Sequence, residues 1–320
     1  MRSKIIISGV ILLVVMSMKA AFAANPNYTF IVPLEKGISD TSFGKMLGDM
    51  TTVVSKETGV NLTMTRPSFE LCDNPTDIVL KALKDNKAQM GLVYALEYLD
   101  AGAKASIFRP DFTLTFDNKK NSEVCMYVSR DSAVTSVKET RGLVWAGYGS
   151  DFYGMKLILH ENGIDEPAAK FFKQVKFMSS SPTSNYLQAL AKGDIGVFVT
   201  SKEMLKMGAK VLNEPGQASS AKQGPVFKEI YCTPFTAHWI LGYRKDVPEE
   251  IGSKITKSMT TAHKNQAYRQ FQFLFVAIKG HFVPLAPGDL KRTAEIKKLK
   301  DSLGWDKEMV DLKKKCKASY

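Results

Sequence analysis

The stretch IYCTPFTAHWILGY, residues 230–243, decides how this chain is organised. It reads as a long extended segment, rich in aromatic and β-branched residues and interrupted at Pro234. Its upstream counterpart is EVCMYVS, residues 123–129, a strand leading into the turn Arg130-Asp131-Ser132. Between them the pattern runs strand at 143–146, helix at 152–160 ending at Asn162-Gly163, strand at 174–178, helix at 185–191 and strand at 195–200. Two extended segments that bracket such a unit suit a chain that crosses into a second body and later crosses back. The expected partition is a first lobe at 24–122, a second lobe at 123–232, and a return to the first lobe with C-terminal helices at 233–320.

Upstream of the first crossing the same alternation appears. Residues 28–33 (YTFIVP) form a buried strand, and 42–58 has helical spacing, with Phe43, Met46, Leu47, Met50, Val53 and Val54 on one face. Strands at 61–65 and 90–94 and helices at 76–85 and 97–103 follow. Beyond Pro248 the chain is mostly helical, broken between Gly280 and Gly288. Strands alternating with helices predict an α/β protein, each lobe a sheet flanked by helices.

The N-terminus reads as an address. Arg2 and Lys4 precede an apolar run at 5–18, and Ala21-Phe22-Ala23 supplies a small-x-small cleavage pattern. That run is shorter than the roughly 20 residues a bilayer-spanning helix needs. The expectation is a signal peptide at 1–23, cleavage near Ala23, and a periplasmic protein. The net charge of +12 is concentrated toward the C-terminus, in Lys291, Arg292, Lys297, Lys298, Lys300 and Lys313 to Lys315. We read it as a solvated basic helix face; an exported protein is not a nucleic-acid binder.

Four cysteines, Cys72, Cys125, Cys232 and Cys316, stand in an oxidising compartment, without C-x-x-C or zinc spacing. Cys125 and Cys232 sit on the two crossing segments. If those are neighbouring strands, their Cα atoms come within disulfide reach. Cys72 with Cys316 is then a second pair.

The order of segments resembles the periplasmic phosphonate-binding proteins of ABC transporters. The resemblance is carried by Gly37-Ile38-Ser39-Asp40, by Asp85 to Gly91 leading to Tyr94 and Tyr98, and by Tyr127 to Ser132. It continues through the loop Gly147 to Gly154, His160 to Ile164, Ala189 to Asp194 and Tyr243 to Pro248. It implies a type II periplasmic-binding-protein fold: two lobes, each a mixed sheet flanked by helices, a two-strand hinge, and closure on a ligand.

In that family hydroxyl-rich residues before the loop's second glycine hold phosphonate oxygens; here the matching positions are Asp151, Phe152 and Tyr153. A carboxylate about 4 Å from an anion costs about 4 kcal/mol at an effective dielectric near 20, which argues against phosphonate itself. Ser150 and Asp151 open a helix whose N–H groups suit an anion, or Asp151 simply caps it. Gly149 and Gly154 have the spacing of a phosphate-binding loop, but Met155 stands where that loop needs lysine. Phe152 and Tyr153 suit an apolar or ring-bearing ligand. Ser180, Ser181 and Thr183 precede the next helix, with Thr183 where the family often has a ligand-binding histidine. Ser39, Asp40 and Thr41 occupy the equivalent place in the first lobe, and Tyr94 and Tyr98 flank a strand end. For each set, helix capping or core packing is the alternative.

The four histidines, His160, His238, His263 and His281, have no metal-ligand spacing, and G-x-S-x-G is missing. No enzyme, metal or cofactor is expected. The expected function is a periplasmic solute-binding protein delivering a small ligand, a phosphonate-like oxyanion or a more apolar molecule, to an ABC transporter permease. Its only expected contact with the membrane is peripheral, through that complex. The alternatives are a ligand-sensing module for a membrane receptor, or a lipid or sterol carrier on the same fold.

Overall fold

The computed structural model describes residues 27–36, 42–71, 73–178, 184–203, 205, 226–237 and 239–317. The expected signal peptide at 1–23 lies outside them, as does Cys72. Among the described residues no helix is long and apolar enough to cross a membrane.

The strands sort into two sheets. The first takes β1 (Asn27–Ile31), β3 (Asn61–Thr65), β5 (Met90–Tyr94), β6 (Phe108–Leu114), β12 (Trp239–Arg244) and β13 (Phe282–Pro284), in the order β13-β6-β12-β5-β1-β3. A short pair, β2 (Leu34–Glu35) and β4 (Ser68–Phe69), stands apart. The second sheet takes β7 (Asn121–Ser129), β8 (Val144–Gly147), β9 (Gln174–Phe177), β10 (Val197–Ser201) and β11 (Phe227–Ala237), in the order β11-β7-β10-β8-β9. Both are mixed: β1 runs parallel to β3 and β5, and β8 to β9 and β10, whereas β12 opposes β5 and β7 opposes both its neighbours.

Both faces of each sheet are covered, so the strands are apolar on both sides. In β7 the period of two sends Val124, Met126 and Val128 to one cluster and Cys125 and Tyr127 to another. Helix α1 (Ser42–Thr58) covers one face of the first sheet with α7 (Glu249–Thr261) and α8 (Gln272–Ile278), packing through Met50, Val54, Ile255 and Phe275. Helices α2 (Pro75–Lys84) and α3 (Ala95–Ala101) cover the other through Val79, Leu83 and Ala95. On the second sheet, α4 (Asp151–Glu161) and α5 (Ala168–Phe171) pack against Trp145, and α6 (Ser184–Lys192) lies on the opposite face beside Phe198.

The last two helices, α9 (Lys291–Ser302) and α10 (Trp305–Lys317), tie the bodies together. Residues 233–320 were expected to return to the first lobe, as β12 and β13 do; Ile296, Trp305, Met309 and Leu312 instead lie in the second sheet's cluster with Trp145 and Phe152. Lys300 is only 1% exposed, and its ammonium pairs with Asp100 of α3 (3.0 Å) and with Asp306 of α10. Arg292 bonds Glu161 at the end of α4 (3.1 Å) and the Pro234 carbonyl (3.2 Å).

Two of the crossings between the sheets are made by strands that lie side by side. β7 and β11 pair antiparallel from Asn121 opposite Ala237 to Ser129 opposite Phe227, with register shifts at Pro234 and near Ile230. Ser122 donates to the Thr236 carbonyl (2.8 Å) and Thr113 to the Trp239 carbonyl (2.6 Å), so hydrogen bonds continue on both sides of the gap. Cys125 and Cys232 face each other in this register with Cα atoms 4.1 Å apart, joined by a disulfide. The expected Cys72–Cys316 bridge lies outside the described residues at Cys72, and nothing is described of the Cys316 side chain. Removing the Cys125–Cys232 cross-link by Cys125→Ala with Cys232→Ala should cost about 2–5 kcal/mol in chemical denaturation, because it closes a long loop. A variant within about 0.5 kcal/mol of the parent, the scatter of a neutral surface change, would show that the crossing is held without it.

Candidate functional site

The crossings bring two strand ends face to face. β5 ends at Tyr94 and α3 begins at Ala95; β8 ends at Gly147 and α4 begins at Asp151. Between them lies a narrow crevice with about 40 Å³ of free interior space, and about 520 Å³ only when the gaps around it and the open solvent at its mouth are counted. Tyr94, Leu96 and Glu97 wall it from one side and Ser150, Asp151 and Tyr153 from the other. The crossing strands add Val124, Phe235 and Thr236, and β10 adds Ser201. Strand carboxyl ends facing a crevice between two sheets are where α/β proteins place ligands.

Local sequence explains each position. Asn74 caps α2, accepting from the Thr76 and Asp77 N–H groups (2.9 and 3.3 Å). The Thr76 N–H also donates to Glu97 (3.3 Å), and the Thr76 hydroxyl accepts from the Tyr94 N–H (3.1 Å). One helix start therefore fixes both crevice residues. Asp151 does not cap its own helix. It accepts from the Tyr148 N–H (3.0 Å) and closes the turn before α4. Ser150, at the head of that helix, makes no side-chain cap either. The Tyr153 hydroxyl donates to Asp306 (2.8 Å) and its ring lies 5.5 Å from the Lys300 ammonium, so α10 and α9 hold this wall from behind.

The electrostatics are unusual for an anion site. Burial pushes the Glu97 carboxyl up to about 7, more than the Thr76 hydrogen bonds and the distant charge of Lys313 pull it down. Burial pushes Asp151 up to about 7 as well, against a single backbone hydrogen bond. The phenols of Tyr94, Tyr148 and Tyr153 are raised by burial first and by neighbouring negative charge second, so all stay neutral donors. Glu35, buried on β2, contributes to that charge at Tyr94 and Tyr148.

Of the residues singled out in the sequence, Tyr94, Ser150, Asp151 and Tyr153 meet in the crevice. Phe152 does not. It is fully buried in the second sheet's core, edge-on to Tyr153 at 5.7 Å, because adjacent helix residues point about 100° apart. Tyr98 faces a separate groove beside Phe108, its ring 5.6 Å away. Ser39, Asp40 and Thr41, like Ser180, Ser181, Thr183 and His238, lie outside the described residues. The phosphate-loop spacing has a packing origin: a Cβ on Gly154 would stand 2.6 Å from Val124, so glycine is what lets α4 lie on β7. Lys156 is turned away, buried against Glu308 (3.2 Å) and the Glu166 carbonyl (2.9 Å). Sequence reasoning missed Glu97, Ser201 and Thr236. Glu97 follows a strand end by three residues, which is the signal that could have found it.

Comparison with known proteins bears on this crevice. The family model described as "ABC transporter, phosphonate, periplasmic substrate-binding protein" matches residues 46–286. No curated protein matches the sequence. Among solved structures, PhnD1 from Prochlorococcus marinus in complex with methylphosphonate has a TM-score of 0.63 at 14% identity, covering 87% of this chain and 98% of its own. A binding protein component of the ABC phosphonate transporter from Pseudomonas aeruginosa has a TM-score of 0.59 at 16% identity, covering 92% and 99%. The periplasmic aliphatic sulphonate binding protein SsuA from Escherichia coli has 0.55 at 10%, covering 87% and 88%. At these identities the structures share the fold with this chain.

The carboxyls near 7 give a sign to the pH dependence of stability. Their unfolded values lie near 4, so between about pH 4 and 7 the native state binds more protons than the unfolded chain and stability falls as pH rises. Glu97→Gln should therefore raise the Tm of ligand-free protein at pH 7.5, by about 2–4 °C for each kcal/mol relieved, and change it little at pH 5. An equal shift at both pH values would show that Glu97 is not the titrating group.

Proposed function

This chain belongs to the periplasmic phosphonate-type substrate-binding proteins of ABC transporters, and we propose that within that family its solute carries an amine. The solute is held between the two sheets and delivered to the transporter. The N-terminal leader places the protein in the periplasm, and the ligand-loaded form docks on the transporter's permease. The two bodies act as lobes that close over the solute about the paired crossings.

One observation carries the ligand class: Glu97 and Asp151, whose carboxyls burial raises to about 7, both line the crevice, and no basic side chain is among its described lining residues. Burying a carboxylate without a counter-charge is costly, and an ammonium group between the two would offset that cost for both at once. The rings of Tyr94, Tyr153 and Phe235 suit the body of such a molecule, since aromatic faces attract cations. A free dianion would have to approach the same two groups.

A second reading rests on the same values near 7. A protonated carboxyl donates a hydrogen bond, so with their protons kept, Glu97 and Asp151 could hold an oxyanion such as the methylphosphonate of the Prochlorococcus protein.

Calorimetric titration across pH separates the two. An amine competes with protons for the carboxylates, so its affinity should fall about tenfold per carboxyl between pH 8 and 6, and Asp151→Asn should weaken it at pH 8. An oxyanion should bind more tightly at pH 6 than at 8. Tight methylphosphonate binding that strengthens on acidification, with no response to small primary or quaternary amines, would reject the amine reading.

A further inference from the structure

A second surface, remote in sequence from the crevice residues, stands out on the first body. A 3₁₀ turn, Gln266–Phe271, runs directly into α8. The inward face of this segment is ordinary core: Tyr268, Phe271, Phe275 and Ile278 are buried under the first sheet. A helix on a protein surface should then turn polar residues outward. This one turns out Phe273, 64% exposed, and Val276, 72% exposed, the two most exposed large hydrophobic side chains among the described residues.

The flanks of that pair are cationic. Arg269, Phe273, Val276 and Lys279 follow each other at steps of four, three and three, the spacing of one helix face, and all four are exposed. Lys279 ends α8 in a left-handed conformation, φ 48°. The turn at residues 116–119 is hydrogen-bonded against it: the Asp117 and Asn118 N–H groups donate to the Ile278 and Lys279 carbonyls (3.0 and 2.9 Å), which brings exposed Lys119 alongside together with half-buried Asp117, so the turn itself adds no net charge. Between Glu250 and Asp289 the chain contains no carboxylate; Lys254 pairs with Glu250 at 2.8 Å, and Lys257, Lys264, Arg269 and Lys279 follow.

An aromatic and an aliphatic side chain at the crest of a surface helix, with cations at both ends, match the chemistry of an anionic lipid surface. The Phe273 ring and the Val276 methyls enter the acyl boundary while the cations meet phosphates. A folded protein partner fits less well. A specific protein interface needs about 800 Å² per partner with a buried apolar centre, and two side chains one turn apart on a convex crest supply a fraction of that. We infer that the α8 crest, Phe273 and Val276 between Arg269 and Lys279, is a reversible anchor for an anionic bilayer surface, which keeps the protein close to the membrane independently of what fills the crevice.

Vesicle flotation tests this with protein exported by a bacterial host and shown by mass to have lost its leader, so that the apolar run at 5–18 plays no part. The protein should float with vesicles of phosphatidylcholine and phosphatidylglycerol at about 50 mM salt, and not with phosphatidylcholine alone. Raising the salt to about 300 mM should release it, because surface charges are then screened within a few ångströms. Phe273→Ser with Val276→Ser should lower partitioning at least tenfold, and Arg269→Gln with Lys279→Gln should lower it on anionic vesicles, both with an unchanged Tm since the side chains are exposed. Failure to float with anionic vesicles, or flotation unaffected by Phe273→Ser with Val276→Ser, overturns the inference. So does a concentration-dependent dimer that this double variant abolishes, which would give the crest to a second copy. None of these readouts involves a crevice ligand, so the anchor and the amine reading stand or fall separately.

Discussion

The antiparallel pairing of β7 with β11, locked where Cys125 meets Cys232, is the constraint from which the other geometry follows. The two sheets have separate cores, and what fixes their relation is this pair of adjacent crossings. The carboxyl ends of β5 and β8 face each other beside these crossings, which is why Tyr94 and Asp151, far apart in sequence, share one crevice. The C-terminal helices add a second connection. Lys300 reaches Asp100 behind one wall and Asp306 behind the other, and Asp306 in turn holds the Tyr153 hydroxyl. These contacts link α3, α9 and α10 behind the two walls.

The crevice chemistry sits apart from what the family's name leads one to expect. A site for a dianion is built from N–H groups and cations, whereas the described residues lining this crevice include two carboxyls and two phenols and no basic side chain. Either the ligand brings positive charge or the carboxyls keep their protons. Both readings use the same residues and differ in where the protons are, so titration, rather than removal of any one side chain, distinguishes them.

Much of this was legible in the sequence, for reasons that can be located. The crossings were legible because β7 and β11 are long and apolar and each carries a lone cysteine. The crevice tyrosine and the turn at Ser150-Asp151 followed from the position of strand ends. Other features were hidden. β6 was missed because FRPDFTL carries Pro110 and Asp111, which read as a loop; the ladder accommodates them with a register shift opposite Leu241–Gly242. β13 is only three residues long and takes its place from pairing with β6. Phe152 and Tyr153 read alike, and only the helix phase separates a core ring from a crevice ring. Glu97 stands three residues past the end of β5, a position that marks it only once that strand end is seen to border a crevice.

The packing of α9 and α10 into the second sheet's cluster bears on the order of folding. Trp305 and Met309 fill space against Trp145 and Phe152, so the second core stays unfinished until a segment about 150 residues downstream has arrived. A chain threaded N-terminus first through a translocation channel would then emerge with its middle region unable to consolidate early.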